Sequence, residues 1–422
     1  MFTIQQLAPG VRLYTLPTKQ FKTITLSIKF TTQLTEENAG VRTVLSNLLQ
    51  FSNQLTPTNS AFRQKLDELY GTSVYLDTMK RADRHTVYLN ADFVNDTYLA
   101  EHNLTEDVLE LIQAVLIKPL LTTSTFDVRI FEREKKQVQT RIESLYEDKS
   151  RYAQHRLMEL IRPHHPASIS ATGDKELVKG VTLQQVMDAY HSMISQDEIS
   201  IYVVGDIDTA HYRDLITSYF GFEGREFKER DVMQPKTSTF EETVEYLDMK
   251  QAKLHMAYET PVTAQSPEFP TMQVLNGILG AYPHSKLFTN VREKESLAYY
   301  ASSSFASSYG LLFAVSGIDP AQKDKAESLI DQQLEELKNG TISDREFLQT
   351  KSMLKNQLME IKDSARGLIE VYESYQEIDP DFTLDGWAKK WETITKQDVQ
   401  ELAHSVHKIH TYFLTTKEEQ HA

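Results

Sequence analysis

The sequence predicts an α+β fold in two homologous domains, each a largely antiparallel sheet packed with helices. Three observations lead there. Strand-like and helix-like stretches follow one another irregularly, without the βαβ alternation of a parallel sheet. The chain also repeats its own pattern. Phe131, Val138, Ile142 and Leu145 recur as Phe347, Leu354, Leu358 and Ile361, shifted by 216 residues without a gap. Val181-Thr182 with Gln184 and Val186 recurs as Ile394-Thr395 with Gln397 and Val399, and Val44-Leu45 with Leu49 as Val274-Leu275 with Leu279. Three matches in the same order mark an internal duplication. Finally, 422 residues with 40% apolar side chains are too many for one ordinary domain and ample for two cores. We place the domains at 1–222 and 241–422, joined by the hydrophilic stretch 223–240.

Residues 11–16 and 22–30 alternate apolar and polar, the pattern of half-buried strands. A helix follows Gly40, with Val41, Val44, Leu45, Leu48 and Leu49 on one face. Another starts near Ser60, carries Phe62, Leu66, Leu69 and Tyr70, and stops at Gly71. Strands follow at about 73–78 and 85–93. Thr105 reads as an N-cap ahead of Glu106 and Asp107, with Val108, Leu111, Ile112 and Val115 as the buried stripe, and Pro119 ends that helix. One long helix covers about 126–160. Thr182 with Gln185 forms a capping box for the next, and Ile199–Gly205 is an apolar strand ending at a Gly-Asp turn.

Composition narrows the function. A net charge of −15 argues against nucleic acid and anionic membranes as partners. With no cysteine, the chain has no disulfide, thiolate zinc site or cysteine nucleophile. Residues 1–6 lack a signal peptide's basic and apolar regions, and no apolar run approaches the ~20 residues of a membrane span, so the expected location is cytoplasmic. A G-x-x-x-x-G-K-[ST] phosphate loop is absent from the sequence.

The stretch 292–300, Arg-Glu-Lys-Glu-Ser-Leu-Ala-Tyr-Tyr, reads as a helix end running into a strand. An isolated Arg-x6-Tyr carries little weight. In the company of Phe288, Leu297-Ala298, Ser302–Ser304 and Tyr309-Gly310, it resembles the second-domain signature of the pitrilysin/insulinase-like zinc peptidases. The resemblance covers nearly the whole chain and is strongest to the YmfF-like group of Gram-positive bacteria. It implies paired domains enclosing a cleft, and an Arg and a Tyr, here Arg292 and Tyr299, that hold the peptide and polarise its scissile carbonyl.

The same resemblance locates what is missing. The family carries H-x-x-E-H on the first long helix, where two His bind zinc and the Glu activates water. Anchored on Gly40 before the helix and Ser52-Asn53 after it, the motif falls on Thr43, Ser46 and Asn47. The third ligand, a Glu seven residues after another Glu, falls on Arg141 when Glu134 is the first of the two. None of these residues is a zinc ligand. The resemblance therefore implies the zinc-less subunit of a two-subunit peptidase: inactive alone, without a cofactor of its own, and completing the active site of an H-x-x-E-H partner that holds the zinc. A peptide substrate is expected, with a homodimer as the assembly of the isolated chain. Family naming ties YmfF-like proteins to modification of elongation factor EF-P, and related pairs to peptide maturation. The alternative is a silent binding or scaffold protein of the same fold.

Rival sites are weaker. His404, His407 and His410 are spaced three apart; the first two could share a helix face, while His410 opens the last strand. His164-His165-Pro166 reads as loop packing. Ser302–Ser304 and Ser307-Ser308 lack a His–Asp constellation.

Overall fold

The computed structural model describes residues 2–99, 103–226 and 239–416. The chain divides into two compact units, Met1–Leu145 with His164–Arg230, and Tyr146–Pro163 with Asp231–Ala422. Of the stretch read as a linker, residues 227–238 lie outside the described residues.

The first unit holds strands β1 (Thr3–Ala8), β2 (Val11–Pro17) and β3 (Thr23–Gln33), then helices α1 (Glu36–Phe51) and α2 (Asn59–Glu68). Strands β4 (Ser73–Arg81) and β5 (Arg84–Val94) precede helix α3 (Leu104–Ile117), the short pair β6 (Leu121–Thr122) and β7 (Thr125–Phe126), and helix α4 (Val128–Glu147). Helix α5 (Lys149–Ile161) belongs to the second unit. Helices α6 (Lys175–Gly180) and α7 (Leu183–Ser195), strand β8 (Glu198–Gly205) and helix α8 (Thr209–Phe220) complete the first. Its sheet runs β1-β2-β8-β3-β5-β4, antiparallel except for β2 beside β8.

The second unit has strands β9 (Glu241–Tyr246) and β10 (Ala252–Glu259), helix α9 (Phe269–Asn276), and two π-helical segments, Gly277–Ala281 and Leu287–Lys294. Strands β11 (Ala298–Ala306) and β12 (Leu311–Ile318) follow, then helices α10 (Lys323–Lys338), α11 (Asp344–Glu360), α12 (Ala365–Tyr375), α13 (Leu384–Thr393) and α14 (Lys396–Ala403), and strand β13 (His407–Thr415). The sheet order β11-β12-β10-β13-β9 repeats β4-β5-β3-β8-β2 of the first unit, including a single parallel pair, β13 beside β9. The duplication read from side-chain spacing is thus written in the topology. Its capping boxes repeat too: Thr182 with Gln185 opens α7, and Thr395 with Asp398 opens α14.

Local chemistry moves three boundaries from the sequence reading. Helix α1 starts before Gly40, because Thr35 caps it with Asn38 in a capping box and Glu36 and Glu37 occupy its first turn. Gly40 lies inside the helix, where a Cβ would sit 2.5 Å from Val178, and a Cβ on Gly173 would meet Gly40 Cα at 2.5 Å. At α3 the cap is not Thr105: the helix opens at Leu104, and the Asp96 carboxylate accepts from Thr105 N–H at 3.2 Å. The expected helix over 126–160 breaks at Asp148, whose carboxylate accepts from Ser150 and Arg151 N–H and starts α5.

Candidate functional site

Helix α1 carries the three positions that the resemblance aligns with H-x-x-E-H, two for zinc ligands and one for the base, and Arg141 takes the third ligand's place; none is a zinc ligand. Thr43 is fully buried, and its hydroxyl lies 2.9 Å from Ala39 O, 3.1 Å from the Thr78 hydroxyl and 3.2 Å from Ala171 O. Ser46, also fully buried, donates to Thr43 O at 2.8 Å, and Asn47 is half-buried. Both hydroxyls bond carbonyls within one turn of helix, a local use for Ser and Thr in a helix interior. The fourth position, Arg141, lies on α4 with Nη1 3.1 Å from Asp77 Oδ1. That same oxygen accepts from Thr78 N–H at 2.8 Å. Thr43, Thr78, Asp77 and Arg141 therefore form one chain of contacts, so the structure brings together residues that lie about 100 apart in sequence. They do not fit zinc: two hydroxyls, an amide and a guanidinium replace two imidazoles and a carboxylate pair. Among the described residues no group of three His, Asp or Glu is placed to hold a metal ion.

A buried network that the sequence reading missed closes this helix in. Asp197 pairs with Arg42 Nη2 at 2.7 Å, both side chains at least 97% buried. Burial pushes the Asp197 pKa up, opposed by Arg42 and Arg225. Arg42 Nε donates to His85 Nδ1 at 3.0 Å, which leaves His85 Nε2 to donate to Ala171 O at 2.9 Å. Burial and the adjacent Arg42 push the His85 pKa down to about 3, so the ring is neutral at pH 7. Lys80 donates to the carbonyls of Pro166 and Ala167 at 3.1 and 2.9 Å, and burial lowers its pKa to about 8. These contacts tie the loop 166–173 to the strands β4 and β5. The signal in the sequence was only a Lys and a His in strands, with partners about 85 residues away. His164 and His165 serve the same loop: His164 Nδ1 is 3.2 Å from Glu36, and His165 Nδ1 accepts from Ala167 N–H at 3.1 Å.

The Arg292–Tyr299 stretch in the second unit is built in the opposite way. Leu287–Lys294 is π-helical, a rare backbone often found at functional sites, and the Arg292 guanidinium lies 4.5 Å over the Phe288 ring. Ser296 sits in the left-handed region at φ 51°, and Leu297 N–H bonds Val291 O at 3.1 Å. Between Ala298 and Tyr300 the pairing of β11 with β12 shifts register, and Tyr299 at that bulge is 72% exposed. Tyr300 turns the other way, its hydroxyl 3.0 Å from Ser150 and its ring 5.3 Å under Lys253 Nζ. Strand β11 is an edge strand and is pinned from behind. A Cβ on Gly280 would come within 2.5 Å of Ser303 N, and Ser303 Oγ bonds Asn276 Oδ1 at 2.7 Å.

Other candidates resolve as structure. Helix α14 ends at Ala403 and His407 opens β13, so His404 and His407 share no helix face, and His410 lies inside the strand with Nε2 3.0 Å from Thr243. A cleft of about 930 Å³ lies between Leu287–Lys294, α10 and α11, lined by both charged and apolar side chains. Its buried Lys286 bridges Glu336 and Glu346 at 3.0 and 3.2 Å, and neither Arg292 nor Tyr299 lines it.

Comparison with known proteins agrees with this picture. Residues 180–354 match the peptidase M16 inactive domain. The chain is 33% identical to the probable inactive metalloprotease YmfF of Bacillus subtilis over 96% of each chain. A conserved protein from Enterococcus faecalis superposes with a TM-score of 0.93 at 31% identity, covering 99% of both chains. The M16 inactive domain protein from Pseudomonas fluorescens shares the fold, with a TM-score of 0.79 at 16% identity over 99% of this chain and 98% of that one.

Proposed function

The chain belongs to the M16 peptidase family, alongside the probable inactive metalloprotease YmfF, and from that membership and its geometry we propose that it is the zinc-less, substrate-binding subunit of a heterodimeric zinc metallopeptidase. One observation carries the proposal. Where the metal positions of α1 are closed by internal hydrogen bonds, Tyr299 is held 72% exposed at a bulge, seven residues after an exposed Arg292. Arg292 presents its planar fork to a backbone carbonyl of the peptide, and Tyr299 donates its O–H to the oxygen that gains charge in the transition state. Activation of water belongs to the metal of an H-x-x-E-H partner. A cytoplasmic setting is part of the same reading, with peptide substrates in EF-P modification or peptide maturation, as the family resemblance implies. Among the described residues no helix is long and apolar enough to cross a membrane.

The test is peptide turnover by the chain alone and by the chain reconstituted with an H-x-x-E-H protein encoded beside it. The isolated chain, as monomer or homodimer, is expected to cleave nothing. In the pair, Tyr299→Phe removes one hydroxyl and should lower turnover by about 10²–10³-fold, the usual cost of one oxyanion donor. Arg292→Lys keeps the charge, loses the fork and should weaken substrate binding. Near-normal turnover with both substitutions would leave the chain as a scaffold.

A further inference from the structure

The four positions aligned with the family's metal motif and third ligand do more than lack zinc ligands. Arg141 puts a permanent cation among them, and its guanidinium is only partly used. Nη1 faces Asp77 at 3.1 Å, whereas Nε and Nη2 are buried and have no hydrogen-bond partner among the described residues. Those two nitrogens form one edge of the guanidinium plane. Their N–H groups run parallel, the arrangement that grips a carboxylate through two hydrogen bonds at once. A buried charged donor without a partner is costly, so an acceptor that engages both relieves a penalty already present in the fold. The side chain as a whole is 36% exposed, which gives it room to swing this edge towards an incoming group.

The surroundings suit one negative group of modest size. Asp77 is already engaged by Arg141 and by Thr78 N–H. Glu134, two turns before Arg141 on α4, is 1% exposed; its Oε1 pairs with Arg133 at 2.8 Å, and its Oε2 is buried without a hydrogen-bond partner among the described residues. Thr78, whose N–H bonds the same Asp77 oxygen as Arg141 Nη1, adds a neutral hydroxyl to this stretch of β4.

We propose that the Nε–Nη2 edge of Arg141, beside Asp77 and Thr78, is a carboxylate-binding site. A peptide C-terminus and a small free acid are the two sources of such a group. The site uses residues of the first unit alone and requires no partner subunit, so it stands or falls apart from the role of Arg292 and Tyr299.

The experiment follows the Nε–H resonance of Arg141 in the full chain labelled with ¹⁵N-arginine, assigned by its loss in Arg141→Lys. Three probes are titrated at constant ionic strength: N-acetyl-trialanine, its C-terminal amide, and acetate. The free acid should shift the resonance and saturate in the millimolar range expected of one small contact, ~1–10 mM. The amide should leave it unmoved. Saturation by the tripeptide at lower concentration than acetate identifies a peptide terminus as the source; equal saturation identifies a small acid. Asp77→Asn removes the competing carboxylate and should tighten binding of the acid several-fold, a gain that a misfolded variant would not show. Equal shifts with acid and amide, or a resonance that stays put with all three probes, would overturn the assignment.

Discussion

Helix α1 and the segment Phe269–Ala281 hold the same place in the two repeats, and the chain treats them in opposite ways. Val44-Leu45 with Leu49 in the first matches Val274-Leu275 with Leu279 in the second. Helix α1 is a regular, boxed helix of 16 residues, and the hydroxyls of Thr43 and Ser46 bond carbonyls of its own backbone. The second segment is α-helical only to Asn276 and becomes π-helical at Gly277. There two glycines let neighbours close in, Thr350 and Tyr282 on Gly277 and strand β11 on Gly280. The lesson is about where irregularity survives. The helix that the resemblance aligns with the metal motif is locally regular. The stretch that carries Arg292 and Tyr299 keeps a π-helix, a left-handed Ser296 and a bulge, each of which costs stability.

The largest effects should come from two buried histidines that split along the same line. His85 sits in the network beside α1 with both ring nitrogens bonded; His255 on β10 is 1% exposed, and neither of its ring nitrogens has a partner among the described residues. Burial lowers the pKa of each from 6.5 to about 3, with help from Arg42 at His85 and from Lys253 at His255. The unfolded chain takes up a proton near pH 6.5 that the folded chain refuses until about pH 3. Stability present at neutral pH is therefore lost as pH falls below 6.5, by about 1.4 kcal/mol per pH unit for each histidine. Substitution separates the two. His255→Leu should remove its share of the acid loss and leave neutral stability equal or higher. His85→Leu should remove its share too but cost about 1–3 kcal/mol at pH 7, because Arg42 Nε loses its acceptor. Urea unfolding at pH 7 and pH 5 checks both, and equal neutral costs would break the comparison.

Gly280→Ala probes the open region directly. The new methyl would lie 2.5 Å from Ser303 N and 2.6 Å from Ser303 Oγ, one of them a backbone atom that can yield only if β11 moves. Overpacking of this kind costs about 1–3 kcal/mol. An alanine at the exposed Gly180 in the first unit should cost far less, since nothing lies within 4 Å of its Cβ. Chemical denaturation of the two variants measures the difference.

Much of this architecture was legible in the chain. Alternation placed β2 and β3, strands were expected where β4 and β5 lie, a 216-residue repeat announced the duplication, and Thr182 with Gln185 marked a helix start. What escaped was non-local. Gly40 read as a helix boundary because the sequence cannot show that Gly173 will press against it. Asp148 was passed over inside an unbroken apolar period, although Asp ahead of Lys-Ser is a fair cap. At the site, Thr43 and Arg141 could be matched to ligand positions by spacing, but Asp77 and Thr78, which connect them, carry no local signal. Arg42 and His85 carry no local signal either; their partnership exists only once α1 lies on the sheet.

The smallest expected effect on stability is also the sharpest test, because it concerns two adjacent tyrosines. Sequence alternation sends Tyr299 and Tyr300 to opposite faces and makes Tyr300 a natural inert control. The faces are opposite, but Tyr300 is not inert. Its hydroxyl bonds Ser150 on α5 and its ring lies under Lys253, while burial raises its pKa above the usual tyrosine value. Tyr300→Phe keeps the ring and its cation contact and removes one hydrogen bond, a loss of about 0.5–1.5 kcal/mol. Tyr299→Phe, with its side chain 72% in solvent, should cost almost nothing in stability. Turnover in the reconstituted pair should show the reverse order, with Tyr300→Phe close to wild type and Tyr299→Phe deeply impaired. Measuring denaturation and turnover on both variants gives a two-by-two outcome. If Tyr300→Phe impaired turnover as much as Tyr299→Phe, the anchoring of β11 on α5, rather than the exposed hydroxyl, would be the feature that matters.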